Sequence, residues 1–119
     1  MDKIIIKGLR LFAYHGVNPE EKENGQNFII DVTYYLPLDG ACSSDALEDT
    51  VSYAAAVKVI RKAFTEEKYD LIERAAQRVA EALLSGFDKI TKVDVTVKKP
   101  EAPVKAEFDY MAVSITRER

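Results

Sequence analysis

The chain has 119 residues, of which 47% are hydrophobic and 31% are charged, and its formal net charge is −3. This length and apolar content predict a single domain over residues 1–119 with a real hydrophobic core. The acidic balance, with lysines and arginines interspersed among acids, argues against nucleic acid or an anionic membrane as a partner. Cys42 is the sole cysteine and no long apolar run follows the charged N-terminus, so we expect a soluble protein in the reducing cytoplasm.

The first part of the chain predicts two antiparallel strands. Residues 3–14 and 27–36 alternate apolar and polar side chains, which is typical of half-buried strands. The connection over residues 16–26 is polar and rich in Asn and Gly, so it predicts a long loop without regular structure, of a kind that often carries function. Cys42 falls among Asp, Gly and Ser residues, which predicts a structural or incidental thiol in a loop.

Two helices are predicted in the middle of the chain. Apolar residues recur at helical spacing over residues 52–66, and Ser52 is one of the residues available to cap this helix. A second amphipathic helix follows almost at once. Asp70 and Glu73 have the spacing of a capping box at its start, and Gly86 supplies a natural stop.

The third strand ends in a lysine on an unusual face. Val93, Val95 and Val97 share one face of the strand, and Lys99 continues this apolar parity while Lys98 joins the polar one. A lysine on the buried side of a strand end loses hydration, which favours its neutral form and allows it to carry a proton near neutral pH. The alternative is that the strand has ended and both lysines are solvated, as most lysines are.

A last strand over residues 107–117 completes a ββααββ order. This order predicts an α+β fold in which an antiparallel sheet carries two helices on one face. Such a sheet leaves one face and both edges uncovered, so we expect the chain to form a homo-oligomer. The order argues against a ferredoxin-like βαββαβ module, in which a helix separates the strands of each pair.

Five short groups of residues occur in a fixed order over essentially the whole chain, although none is specific alone. They are Tyr14-His15-Gly16-Val17 with Glu20-Glu21 and Gly25-Gln26, Asp49-Thr50-Val51-Ser52-Tyr53, Leu71-Ile72-Glu73, Lys99-Pro100-Glu101-Ala102-Pro103, and Ile115-Thr116-Arg117-Glu118-Arg119. This ordered set resembles the dihydroneopterin aldolase family. The resemblance implies the tunnelling fold, or T-fold, whose chains join their sheets into an oligomeric barrel, as a tetramer ring or as an octamer of two stacked rings.

The resemblance also implies a reaction. The family splits 7,8-dihydroneopterin into 6-hydroxymethyl-7,8-dihydropterin and glycolaldehyde on the route to folate. The C=N bond of the pterin ring accepts the electrons that this retro-aldol step releases, so we expect no cofactor, no metal and no lysine imine. Reversal of the step implies a 2'-epimerase side activity. Two alternatives remain open: a dihydroneopterin triphosphate 2'-epimerase, against which the acidic run of residues 20–23 argues, and a non-catalytic pterin-binding oligomer.

The resemblance assigns roles to five residues. Lys99 matches the catalytic lysine that transfers a proton at the substrate side-chain hydroxyl, directly or through water. Tyr53 matches a tyrosine that reaches the pterin of a neighbouring chain and helps to protonate the enol-type intermediate. Glu21 matches the loop acid that positions the substrate side chain and the lysine. Glu73 matches the carboxylate that anchors the pterin ring through two N–H bonds, assisted by the backbone N–H of Ile72.

Most of these residues have a plain structural alternative. Glu73 fits a capping box with Asp70 at least as well as it fits a ligand site. Tyr53 fits the apolar stripe of the first helix, and Glu21 is one acid in a solvated run. His15 is the sole histidine and has no partners for a zinc site, so we expect it to shape the turn at the loop mouth.

Overall fold

The computed structural model describes residues 1–119 and contains one four-stranded antiparallel sheet. Strands that are consecutive in sequence are neighbours in the sheet, in the order β1-β2-β3-β4. The predicted α+β class and the ββααββ order of the main elements are confirmed. The elements in chain order are β1 (Lys3–Ala13), α1 (Pro19–Asn24), β2 (Gln26–Tyr35), α2 (Asp39–Ser44), a 3₁₀ turn (Leu47–Asp49), α3 (Tyr53–Thr65), α4 (Ile72–Gly86), β3 (Lys92–Lys99) and β4 (Met111–Glu118).

The core lies between one face of the sheet and the helices α3 and α4. Strand β2 buries every second side chain, from Phe28 to Tyr34, and the three valines of β3 are fully buried on the same face. Both helices turn apolar stripes toward this face and bury residues such as Ile60 and Val79 completely. Twenty-one buried apolar residues form one continuous cluster. The alternation seen in the sequence therefore determines which face of each strand enters the core.

Two short helices occupy segments that the sequence predicted as loops. Helix α1 lies within the connection over residues 16–26, so the prediction of no regular structure there is wrong. Pro19 stands in its first turn, where a missing N–H is harmless, and Glu20 and Glu21 place negative charge near the helix N-terminus. Cys42 is exposed in helix α2 and not in a loop, which corrects its predicted setting.

The two long helices begin differently. Ser52 caps α3 as predicted, since its side chain accepts a hydrogen bond from a backbone N–H of the first turn. Helix α4 begins at Ile72 without any side-chain cap, so the predicted capping box of Asp70 and Glu73 is wrong. Asp70 forms an ion pair with Lys22 instead. Glu73 is left as an exposed carboxylate in the first turn of α4.

The other face of the sheet and both of its edges are uncovered. Strand β4 begins at Met111, later than the predicted residue 107, and none of its residues is fully buried. On the uncovered face, Asp94 accepts hydrogen bonds from Tyr35 at 2.7 Å and from Thr116 at 2.6 Å. Hydrogen-bonded polar side chains of this kind are typical of a sheet face that is exposed to solvent in a single chain. No helix is long and apolar enough to cross a membrane.

Candidate active site

A buried ion pair lies at the end of the sheet where β3 stops. Strand β3 delivers Lys99, and helix α1 delivers Glu21 from the connection between β1 and β2. The lysine Nζ lies 2.6 Å from the glutamate Oε2, and the two side chains are only 13% and 9% exposed. Lys99 therefore stands on the buried side of the strand, as the alternation predicted. Lys98 points to the other face and pairs with Asp31 at 3.0 Å.

The Glu21 carboxylate is held by three donors. Its Oε2 accepts from Lys99 and, at 2.9 Å, from Gln26 Nε2, while its Oε1 accepts from the backbone N–H of Asn18 at 3.3 Å. Burial alone raises the pKa of Glu21, but these hydrogen bonds and the positive charge of Lys99 outweigh it and hold the pKa below the ordinary 4.5. Glu21 is thus an ionised acceptor at neutral pH.

Space for this carboxylate depends on a glycine. A Cβ on Gly16 would overlap the carboxyl group of Glu21. The absence of a side chain at this position therefore lets the carboxylate lie directly against the backbone. The same segment is fixed to the chain before α4, because the Gly16 N–H donates to the carbonyl of Tyr69 at 2.9 Å.

Gln26 is a site residue to which the sequence assigned no role. It is 7% exposed, and its Nε2 bonds Glu21 and approaches the His15 carbonyl at 3.4 Å. Its Oε1 is buried and has no hydrogen-bond partner. A buried acceptor beside an ion pair needs a donor, and a ligand hydroxyl or a water has the chemistry to supply one. The available signal was its place in the Gly25-Gln26 pair of the resemblance, since a glutamine at a strand start has no distinctive local pattern.

His15 is part of the core beneath the ion pair. It is fully buried, its Nε2 donates to the Phe64 carbonyl at 2.7 Å, and its Nδ1 accepts from the Tyr69 N–H at 3.1 Å. Burial lowers the pKa of His15, the Phe64 carbonyl opposes this shift, and the charge of Lys99 adds to it. The ring is therefore a neutral link between the end of α3 and the segment before α4, which agrees with the structural role predicted for it.

Glu73 and Ile72 start helix α4 at the same end of the sheet. The contacts of Tyr69 with His15 and Gly16 bring the start of α4 to this end. The Glu73 carboxylate is exposed and makes no hydrogen bond or ion pair with the rest of the chain. The Ile72 backbone N–H also lacks an intrahelical acceptor, as at every helix start. Acceptor and donor are therefore both free for a ligand.

Tyr53 lies at the opposite end of the sheet and is 69% exposed. Two residues before it, the Val51 carbonyl accepts a hydrogen bond of 2.9 Å from Tyr34, which pairs with Val93 in the sheet. Lys99 is six residues further along β3, which is about 20 Å at ~3.3 Å per residue. The 13 residues of α3 give a similar span of about 20 Å at ~1.5 Å per residue. One chain therefore does not bring Tyr53 to the Lys99 ion pair.

An apolar groove accompanies Tyr53. Its volume is about 590 Å³, and eight of its ten lining residues are hydrophobic. The groove is open to solvent at the start of α3. The lining residues are Ile4, Leu38, Ala41, Cys42, Leu47, Thr50, Val51, Ser52, Tyr53 and Ala54.

The sheet, its two long helices and the lysine-carboxylate pair define an α+β protein of the T-fold class, and comparisons with known proteins give its family. The family model for dihydroneopterin aldolase matches residues 4–116. The dihydroneopterin aldolase of Methylorubrum extorquens is 40% identical over 118 residues, which cover 99% of this chain and 91% of that protein. That of Bacillus subtilis is 35% identical over 119 residues, which cover 100% of this chain and 99% of that protein.

A solved structure gives the same result. The crystal structure of E. coli dihydroneopterin aldolase in complex with neopterin superposes with a TM-score of 0.89 at 29% identity, covering 98% of this chain and 99% of that chain. The chain belongs to the dihydroneopterin aldolase family, whose members are aldehyde-lyases.

Proposed function

We propose that this chain cleaves 7,8-dihydroneopterin in the cytoplasm and that the reaction takes place beside the Lys99–Glu21 ion pair. The observation that carries the proposal is the 2.6 Å contact between these two nearly buried side chains. A lysine and a carboxylate that are fixed at the end of a sheet can move a proton to or from a substrate hydroxyl, directly or through one water. An exposed, unpaired Cys42 fits a reducing compartment.

The reaction needs two proton transfers and an electron sink. The second hydroxyl of the substrate side chain loses its proton, and the bond between the first and second side-chain carbons breaks to release glycolaldehyde. The electron pair moves into the adjacent C=N bond of the pterin ring, and the first carbon then takes up a proton. Lys99 takes up the proton of the hydroxyl group, directly or through water. Glu21 holds the substrate side chain and the lysine in place. Tyr53 helps to protonate the enol-type intermediate.

The ring is held at the start of α4. A carboxylate accepts two parallel N–H bonds, so Glu73 suits the amino group and the neighbouring ring nitrogen of a pterin. The Ile72 N–H donates to the ring from the same turn. Because Glu73 caps no helix and pairs with no cation in this chain, its carboxylate is available for this role.

A neighbouring chain completes the site in this proposal. The separation of about 20 Å within one chain keeps Tyr53 away from Lys99, and Tyr53 stands exposed beside its groove. Two uncovered sheet edges allow identical chains to continue the sheet in a closed barrel, as a tetramer ring or two stacked rings. At each interface the groove and Tyr53 of one chain then face Lys99, Glu21 and Glu73 of the next.

Purified protein incubated with 7,8-dihydroneopterin tests the reaction. We expect glycolaldehyde and 6-hydroxymethyl-7,8-dihydropterin in equal amounts, with activity retained after exhaustive chelation and no borohydride-trapped adduct on Lys99. A 2'-epimer in the products would show that the retro-aldol step reverses. Pterin binding without glycolaldehyde would instead support the non-catalytic oligomer, and a preference for the triphosphate would support the epimerase.

Hybrid oligomers test the shared site. Inactive Tyr53→Phe and Lys99→Ala proteins, dissociated and reassembled together, should regain part of the activity because some interfaces receive both intact residues. The matched control mixes Lys99→Ala with Glu21→Gln, whose lost groups belong to the same half of the site, and it should regain nothing. Equal results for the two mixtures would place Tyr53 and Lys99 in one chain's site.

A further inference from the structure

Two lysines join helix α1 to the segment before α4. Lys22 follows Glu21 directly, and its Nζ donates to the Gly16 carbonyl at 2.5 Å and pairs with Asp70. The carbonyl of Lys22 itself accepts from Lys68 Nζ at 2.7 Å. These contacts join helix α1, which contains Glu21, to residues 68–70, which lie shortly before Glu73 in sequence.

Apart from the Lys22 side-chain contacts, helix α1 is held through Glu21, which Lys99 and Gln26 bond, and through Lys68. The helix contains six residues, and its only buried residue is Glu21. A single turn and a half has no stability of its own, so its position depends on tertiary contacts. The proposed chemistry requires a substrate hydroxyl to approach Lys99 and Glu21, which rearranges their mutual contact. The Gln26 bond to Glu21 and the contacts of Lys22 are then the ones that keep α1 in place.

We propose that the Lys22–Asp70 ion pair is a latch that sets the distance between the Glu21 and Glu73 carboxylates. This inference rests on the proposed function, in which Glu21 holds the substrate side chain and Glu73 holds the ring. The latch makes Lys22 and Asp70 positioning residues that never touch the substrate. A fixed spacing selects a pterin whose three-carbon side chain reaches Glu21 while its ring edge reaches Glu73.

The solvent exposure of Lys22 and Asp70 makes it possible to distinguish a positioning role from a contribution to folding stability. The side chains of Lys22 and Asp70 are 31% and 70% exposed, and exposed ion pairs contribute little to folding stability. Removing the latch should therefore leave the melting temperature almost unchanged. Its effect should appear only with ligands that engage both carboxylates.

Two pterins distinguish these effects. Neopterin carries the three-carbon side chain, whereas unsubstituted pterin offers only the ring. We expect Lys22→Met and Asp70→Asn each to weaken neopterin binding by about 5- to 10-fold and to raise KM, with kcat less affected and pterin affinity unchanged. The double variant should match Lys22→Met, because Asp70 acts through Lys22, whereas Lys22 also bonds the Gly16 carbonyl. Lys22→Arg should keep neopterin affinity within about 2-fold.

The control removes an ion pair of similar exposure further along α4, which does not contact α1. Arg78 and Glu81 pair at 2.7 Å with side chains 27% and 43% exposed, so Glu81→Gln should leave both affinities unchanged. Unchanged neopterin affinity in the latch variants, equal weakening of both pterins, or additive effects in the double variant would overturn the latch. Failure of the proposed function is seen separately, because the unmodified protein would then release no glycolaldehyde from dihydroneopterin.

Discussion

At one end of the sheet the Glu21 carboxylate accepts hydrogen bonds from three donors, whereas at the other end Tyr53 is 69% exposed beside an open apolar groove. The hydrogen bonds of the first end fix its groups at the distances that proton transfer requires, as the proposed role of Lys99 and Glu21 demands. An exposed tyrosine has no such constraint within its own chain. This contrast supports the proposal in which one chain provides Lys99 and Glu21 and a second chain provides Tyr53.

The two ends also differ in how the core supports them. His15 links α3 to the segment before α4 beneath the Lys99 ion pair, so the polar groups rest on a packed layer. Tyr53 begins a helix whose cap, Ser52, lies in the groove wall. Changes to His15 or to the ion pair above it should therefore affect packing as well as chemistry, whereas changes at Tyr53 should leave the core packing unchanged.

The largest effect should come from removing the lysine of the ion pair. Lys99→Ala removes a positioned proton carrier, so turnover should fall by about 10²-fold or more. Lys98→Ala is the matched control, because Lys98 pairs with Asp31 on the other face of the sheet. Steady-state release of glycolaldehyde measures both variants. Near-normal turnover in Lys99→Ala would mean that the buried pair is a structural contact.

Removing the charge at the start of α4 should weaken binding without affecting the fold. Glu73→Gln removes the charge and one acceptor from the proposed ring anchor, so pterin affinity should fall by roughly 2 kcal/mol, or about 30-fold. Glu73 belongs to no capping box, so stability should change by less than about 1 kcal/mol, the size of a helix-dipole interaction. Calorimetric titration and thermal unfolding give the two quantities. A large loss of stability with unchanged affinity would assign the residue to helix formation.

Much of the fold could be predicted because burial follows simple periods. The alternation in β2 and β3 and the helical stripes of α3 and α4 reappear as one core cluster. Local signals were weaker guides. The connection before β2 contains a short helix because Pro19 and two acids favour its start, and the alternation of β1 changes parity at a bulge where Gly8 has φ +74. Neither feature has a periodic pattern.

The site could be predicted only in part, for physical reasons. The alternation of β3 predicted that Lys99 lies on the buried face. Its partner Glu21 is 78 positions away in the sequence and reaches it only through tertiary contacts. The same holds for Gln26, which becomes a site residue because β2 starts beside α1. The Asp70–Glu73 spacing suggested a cap, but Asp70 pairs with Lys22. Local spacing cannot show which of two partners a carboxylate will choose.

Adding one methyl group at Gly16 should lower turnover by displacing the Glu21 carboxylate. A Cβ at Gly16 would overlap the Glu21 carboxyl group, so Gly16→Ala should push this carboxylate away from Lys99. We expect turnover to fall by about 10-fold, because small displacements of catalytic groups cost rate steeply. Gly86→Ala is the control, since no atom lies within 4 Å of its added Cβ. Equal turnover in the two variants would show that the position of Glu21 is not critical.

The smallest effect should be a pH dependence of stability that originates at His15. Its pKa is lowered from 6.5 in the folded chain by burial, so the unfolded chain binds this proton more readily. The contribution of neutral His15 to stability is therefore complete above pH 6.5 and is lost as the pH falls toward the folded pKa. Urea unfolding from about pH 7.5 down to about pH 5.5 follows the loss below 6.5 while free glutamates, whose ordinary pKa is 4.5, stay largely ionised. His15→Gln retains a donor and an acceptor without this titration, so its stability should fall less over the same range; identical slopes would show that the loss arises elsewhere.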